Sequence, residues 1–199
     1  MKKVIVLLFA AGIAGTASAQ LPKLGLKGGL NLATVAGSTS SPSMRLSGHG
    51  GVLVHIHLAP QIALQPEVLY SGQGFKATSP LNNKEYTFAL NYVNVPFMVQ
   101  YMFDNGFRVE AGPQVGVLLS AKVKDDAGSS DIKPSFKQAD FGLGLGVNYL
   151  SYSGFGIGAR YNFGLSTITK TAGDDPLKNR VGQISLFYLL DRQHKAKSR

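Results

Sequence analysis

Ala139-Asp-Phe-Gly-Leu-Gly-Leu-Gly-Val-Asn-Tyr-Leu150, then Ser151-Tyr-Ser-Gly154, then Phe155-Gly-Ile-Gly-Ala-Arg-Tyr-Asn-Phe-Gly-Leu165: this stretch decides the fold. In its first limb Phe141, Leu143, Leu145, Val147 and Tyr149 alternate with Asp140, Gly142, Gly144, Gly146 and Asn148. In its second, Phe155, Ile157, Ala159, Tyr161, Phe163 and Leu165 alternate with Gly156, Gly158, Arg160, Asn162 and Ser166. Side chains on a strand point to opposite faces in turn, so strict period two means a strand with one apolar and one polar face. The glycine runs pace a strand and open no helix, so they form no phosphate cradle.

Working outward, the same period recurs. Leu24, Leu26, Leu30 and Leu32 oppose Lys27, Gly29 and Asn31; Val52, Val54, Ile56 and Leu58 oppose Gly51, His55 and His57. Ile62 to Tyr70, Val93 to Phe103 and Phe107 to Leu119 continue it, the last with Arg108, Glu110, Gln114 and Ser120 on the polar side. The final segment, Ile184, Leu186, Tyr188 and Leu190, is weaker, because Phe187 and Leu189 sit on the other parity. Connections alternate as well. Short ones fall at Ala59-Pro60-Gln61, Asp104-Asn105-Gly106 and Ser151 to Gly154; long polar ones at Val35 to Met44, Gly72 to Lys84, Lys122 to Ser135 and Thr167 to Asn179. Asn-Gly between alternating strands is a hairpin signal. The expectation is all-β: an eight-stranded antiparallel up-and-down transmembrane β-barrel over 20–190, with short periplasmic turns and longer extracellular loops.

The ends fit that expectation. Met1-Lys2-Lys3, an apolar run from Val4 to Ile13 and a closing Ala17-Ser18-Ala19 read as a signal peptide over 1–19, cut after Ala19. Beyond it no apolar run approaches the roughly 20 residues of a membrane helix, so only a barrel could cross a bilayer. The formal charge of +9 falls to +7 without Lys2 and Lys3. A secreted chain of that charge meets outer-membrane lipids with anionic headgroups, or envelope proteins, not nucleic acid. Arg192, Lys195, Lys197 and Arg199 make 191–199 a basic, solvated tail. With no cysteine there is neither a disulfide nor a lipidated thiol.

Alternation alone fits a soluble barrel with the faces exchanged. Two features favour lipid on the apolar side. Tyr101, Phe103, Phe107, Tyr149, Phe155 and Tyr188 collect beside the short turns, as an interfacial girdle should, with a looser set of Tyr70, Phe75, Tyr86, Phe88 and Phe163 near the long loops. The polar face is rich in glycine, where a water-facing sheet would carry Lys, Glu and Thr; a narrow interior needs such small residues beside its large polar ones.

Several stretches also resemble the PorT-like outer-membrane β-barrel family: Gly25-Leu-Lys-Gly-Gly-Leu-Asn31, Ala63-Leu-Gln-Pro-Glu-Val-Leu-Tyr-Ser71, Leu90-Asn-Tyr-Val-Asn-Val-Pro-Phe97, Glu110-Ala-Gly-Pro-Gln-Val-Gly116 and Gly156-Ile-Gly-Ala-Arg-Tyr161. The resemblance implies a barrel in a Bacteroidetes-type envelope, with a type IX secretion role belonging to the founding member. Ending in a basic tail, not on an aromatic residue, departs from common barrel termini.

Among candidate sites, Lys27, Glu67, Arg108, Glu110 and Arg160 share the interior parity and are expected to form structural ion pairs, since an unpaired charge in a narrow lumen is costly. His49, His55 and His57 share one parity of one segment, without a second-strand ligand to complete a metal site. Asp125, Asp126 and Asp131, or Asp174 and Asp175, lack EF-hand spacing. No catalytic, cofactor or metal residue is expected. The expectation is a non-enzymatic, monomeric outer-membrane barrel with a side-chain-plugged lumen and a structural or interaction role. A narrow solute pore, a secretion-apparatus component and a lipid-modifying enzyme are the alternatives.

Overall fold

The computed structural model describes residues 22–37, 42–79, 83–125, 128–170 and 176–190. The expected signal peptide, the basic tail, and Asp126, Asp174 and Asp175 lie outside the described residues. The described strands are β1 (Lys23–Ala36), β2 (Ser43–Ala59), β3 (Ile62–Thr78), β4 (Glu85–Met102), β5 (Phe107–Asp125), β6 (Gly128–Asp131), β7 (Ala139–Leu150), β8 (Phe155–Gly164) and β9 (Lys178–Leu190). Eight of them form a ring of antiparallel neighbours, β1-β2-β3-β4-β5-β7-β8-β9, in which β9 returns to β1 from Leu24↔Leu190 to Ala36↔Lys178. Short β6 stands outside the ring, paired to the end of β5.

The short turns are built as their sequences dictate. Gly106 and Gly154 adopt φ of +86° and +88°, and their amides donate back to the carbonyls of Phe103 and Ser151. Only glycine takes that backbone conformation without strain. All three short turns lie at one end of the ring.

At the other end the long connections are shorter than expected. Gly72 to Thr78 and Lys122 to Asp125 continue β3 and β5, and β2 starts at Ser43. The strands β2 to β5 therefore run 17, 17, 18 and 19 residues. Crossing a bilayer takes about 9–11. This half of the ring rises well above the other, where β8 has only 10 residues. In sequence the extension of β3 is masked, because Gly72 and Gly74 look like loop punctuation. Gly74 in fact sits within β3 at φ +114°, where a Cβ would strike the Phe88 carbonyl oxygen.

Parity in the structure follows the sequence pattern. Phe155, Ile157, Ile184 and Leu186 point outward and are exposed, while Gly156, Gly158, Arg160 and Asn162 point inward and are buried. Phe75 and Phe88 correct two assignments. Phe75 lies inside, buried and stacked on Phe88 at 4.6 Å, Phe88 is half-buried against the same interior apolar cluster, and neither belongs to an outer girdle. The weak last segment is also explained: Phe187 and Leu189 face inward and pack with Leu53 and Leu150 near the short turns.

Candidate functional site

The interior is layered. Its middle holds Lys27 of β1, Glu67 of β3, Glu110 of β5 and Arg160 of β8. Around the eight-membered ring, β3 and β8 are opposing walls. The Arg160 guanidinium crosses between them, donating from Nη1 and Nη2 to the two Glu67 oxygens, each at 2.8 Å. Its Nε donates to Glu110 Oε1 at 2.7 Å. Lys27 Nζ completes the set at 3.1 Å from Glu67 Oε1. Gln65 and Gln100 then donate to Glu67 and Glu110, at 2.8 and 2.9 Å. The four charged side chains are at most 2% exposed. Two cations and two anions cancel, and the planar guanidinium supplies the bidentate geometry that a lysine lacks.

Glycine makes this crossing possible. A Cβ on Gly146 would lie 2.8 Å from Glu110 Oε1.

Arg108, grouped with these charges from its parity, stands apart from them. Its Nη1 lies 3.4 Å from both Gln100 Oε1 and His55 Nε2, and among the described residues it makes no ion pair at bonding distance. His55 packs edge-on against His57 with centroids 4.7 Å apart. No group of three or more possible metal ligands occurs among the described residues.

A second polar layer lies on the long-loop side, and little in the residue pattern announces it. His49 Nδ1 is 2.7 Å from Asn31 Oδ1, and its Nε2 is 2.9 Å from Ser185 Oγ. The amide oxygen can only accept, so Nδ1 carries a proton, and in the neutral ring Nε2 then accepts from the Ser185 hydroxyl. Asn31 also donates to Ser71 Oγ and to the Gly72 carbonyl, and accepts from Gln183. The order Ser–His–Asn is that of a nucleophile relay. Here all three members are buried, and Asn31 is held by four further neighbours, so the arrangement fixes strands. Only the shared parity of Asn31 and Ser185 across β1 and β9 hints at it.

Above this layer the interior turns apolar. Val35, Phe75, Leu90, Tyr92, Leu118 and Ala121 pack with Phe136 and Ile168, which come from the connections after β5 and β8. Those connections are joined by main-chain bonds, Lys137 N to Ile168 O at 2.7 Å and Lys170 N to Ser135 O at 3.1 Å. Asp140 accepts from Ser166 Oγ and Asn179 Nδ2 at 2.7 and 2.8 Å.

An apolar exterior around a charged, hydrogen-bonded interior is the pattern of an outer-membrane barrel, inverted from that of a soluble one. The family model for the outer membrane protein beta-barrel domain matches residues 19–170, and the chain belongs to that family. Its place is the outer membrane. Among proteins of curated function none matches. Two solved structures share the fold at 11% identity. Neisserial surface protein A is covered completely by 87% of this chain, with a TM-score of 0.52. The attachment invasion locus protein of Yersinia pestis, in complex with the heparin analogue sucrose octasulfate, is covered completely by 86%, with a TM-score of 0.50.

Proposed function

We propose that the protein is a non-enzymatic, monomeric outer-membrane barrel of the PorT-like type, its lumen filled by its own side chains, and that it serves the envelope as an anchored scaffold for interaction. One observation carries this reading: Arg160 spans the interior to Glu67 on the opposite wall, within a balanced set of buried charges. An eight-stranded barrel is just wide enough for side chains to fill, and apolar clusters above and below the charges leave little for water to follow. The short turns face the periplasm and the long loops the exterior, the chain having been exported behind its N-terminal signal peptide. The tall wall of β2 to β5 and the joined loops form the surface offered to other envelope components.

Planar-bilayer recording tests the filled lumen. Protein whose folded state is verified by its heat-shifted gel mobility should give no stepwise conductance. Steady openings from the same preparation would make it a narrow pore. Mass spectrometry of lipid A from cells with and without the protein should show identical acyl and phosphate patterns; a changed pattern would make it a lipid-modifying enzyme.

A further inference from the structure

On the low wall, the outward face of β9 reads Lys178, Arg180, Gly182, Ile184, Leu186 and Tyr188 from the loop end to the turn end. Arg180 pairs across the sheet with Thr34 of β1 and Phe163 of β8, and its guanidinium carbon stands 5.3 Å from the Phe163 ring centroid. A cation over an aromatic ring at the edge of an apolar band is held at the depth of headgroups. From Arg180 to Tyr188 is about 26 Å of strand, which at a tilt of about 40° rises about 20 Å against an apolar band of about 25 Å. Arg180 therefore stands just inside the upper edge of that band, from which its long side chain reaches the headgroups, and Lys178 lies two residues nearer the loops.

Next to them on the same wall is a groove of about 630 Å³, lined on the outside by Leu30, Leu32, Tyr161 and Gly182 and reaching through the wall to Glu110 and Arg160. Gly182 makes it. No backbone demand explains a glycine there: a Cβ would meet only the Leu32 carbonyl oxygen, at an ordinary 3.8 Å. Gly29 and Gly51, by contrast, would each drive a Cβ to 2.0 Å from a carbonyl oxygen. The missing side chain at 182 leaves the groove open between leucines, and the two cations precede Gly182 on the same face of β9.

We propose that this wall seats one phosphate-bearing lipid of the loop-side leaflet, its phosphate on Arg180 and Lys178 and an acyl chain along Gly182. Charge selects this occupant over a second copy docked symmetrically through the same wall. Among the described residues, the outward faces of β7, β8, β9, β1 and β2 carry no carboxylate to receive Arg180. The site rests on the lipid-facing assignment of this wall and on the outward loops, not on whether the lumen conducts, so its test fails separately from the bilayer recording.

Native mass spectrometry of the detergent-solubilised protein tests it with three probes: bis-phosphorylated hexa-acyl lipid A, the same acyl backbone without phosphates, and inorganic phosphate. Lipid A should be retained well above the other two. Arg180→Gln should lower its retention about fivefold, as loss of one interfacial cation implies. Gly182→Leu, which fills the groove with a residue at home in lipid, should lower it as well. Equal retention with and without phosphates overturns the proposal, as does unchanged retention in Arg180→Gln. Binding of inorganic phosphate alone also overturns it, leaving an anion site without a lipid. A dimer that Gly182→Leu dissolves would give the groove to a second copy instead. Arg180→Gln lies at the rim, away from the packed interior, so it decides the matter even if Gly182→Leu fails to fold.

Discussion

Arg160 holds two carboxylates at once, three hydrogen bonds from one guanidinium to separate walls of the lumen. Removing it leaves Glu67 and Glu110 buried with Lys27 alone to answer two charges. Breaking one partner of a buried ion set costs about 3–5 kcal/mol. Arg160→Ala should therefore lower the urea midpoint of unfolding in micelles, and an unchanged midpoint would remove the pairing from any structural account. Arg160→Lys should recover only part of the loss, because an ammonium cannot fork between Glu67 and Glu110. Parity alone puts Lys27, Glu67, Glu110 and Arg160 inside, so their burial is legible in the sequence. Which partner each one meets is not. Arg108 shares the parity of Glu110, yet it sits nearer the short turns beside Gln100 and His55. Spacing along the chain carries no information on relative depth between strands that are distant in sequence.

Elements are legible where turns and alternation agree, and illegible where one contradicts the other. Asp104-Asn105-Gly106 announces its hairpin. Gly72-Gln73-Gly74 mimics a turn and conceals the upper part of β3, because a strand that has left the bilayer no longer needs a greasy face to declare itself. That upper part of β3 and β4 should yield independently of the rest. Gly74→Ala forces a Cβ onto the Phe88 carbonyl oxygen, so amide exchange should accelerate in 72–78 and 85–90 while 62–70 stays protected; uniform protection would show the strain absorbed elsewhere. The joined loops make a second such unit. Ile168 is fully buried against Phe136, Leu118 and their neighbours, and truncating a buried isoleucine costs about 2–5 kcal/mol. Ile168→Ala should open the connections at 132–138 and 165–170 to protease, leaving the heat-modifiable barrel intact. Neither loop residue is recognisable as core from sequence, since Phe136 and Ile168 lie in polar stretches without period.

For the whole molecule, the central question is whether the charged layer chooses the ring or merely tolerates it. Its four members come from separate strands around the ring, so the layer cannot assemble until β1 has met β9 and the walls face one another. Its charges also cancel, which separates two accounts of the stability. If the layer acts through complementarity, what matters is that no charge is left alone; replacing a buried ion set as a unit by hydrophobic side chains of similar volume is often neutral or stabilising by about 1–4 kcal/mol, and glutamine at 67 and 110 keeps an acceptor for Gln65 and Gln100. The combination Lys27→Met, Glu67→Gln, Glu110→Gln and Arg160→Met should then fold to a heat-modifiable monomer with a urea midpoint at or above that of the native protein, though Arg160→Ala alone lowers it. If instead the charges dictate which walls face each other, the fourfold variant should lose the ring and migrate as unfolded protein. The first outcome is expected, because the ladder from Leu24↔Leu190 to Ala36↔Lys178 and the two apolar clusters already specify the same closure without any charge.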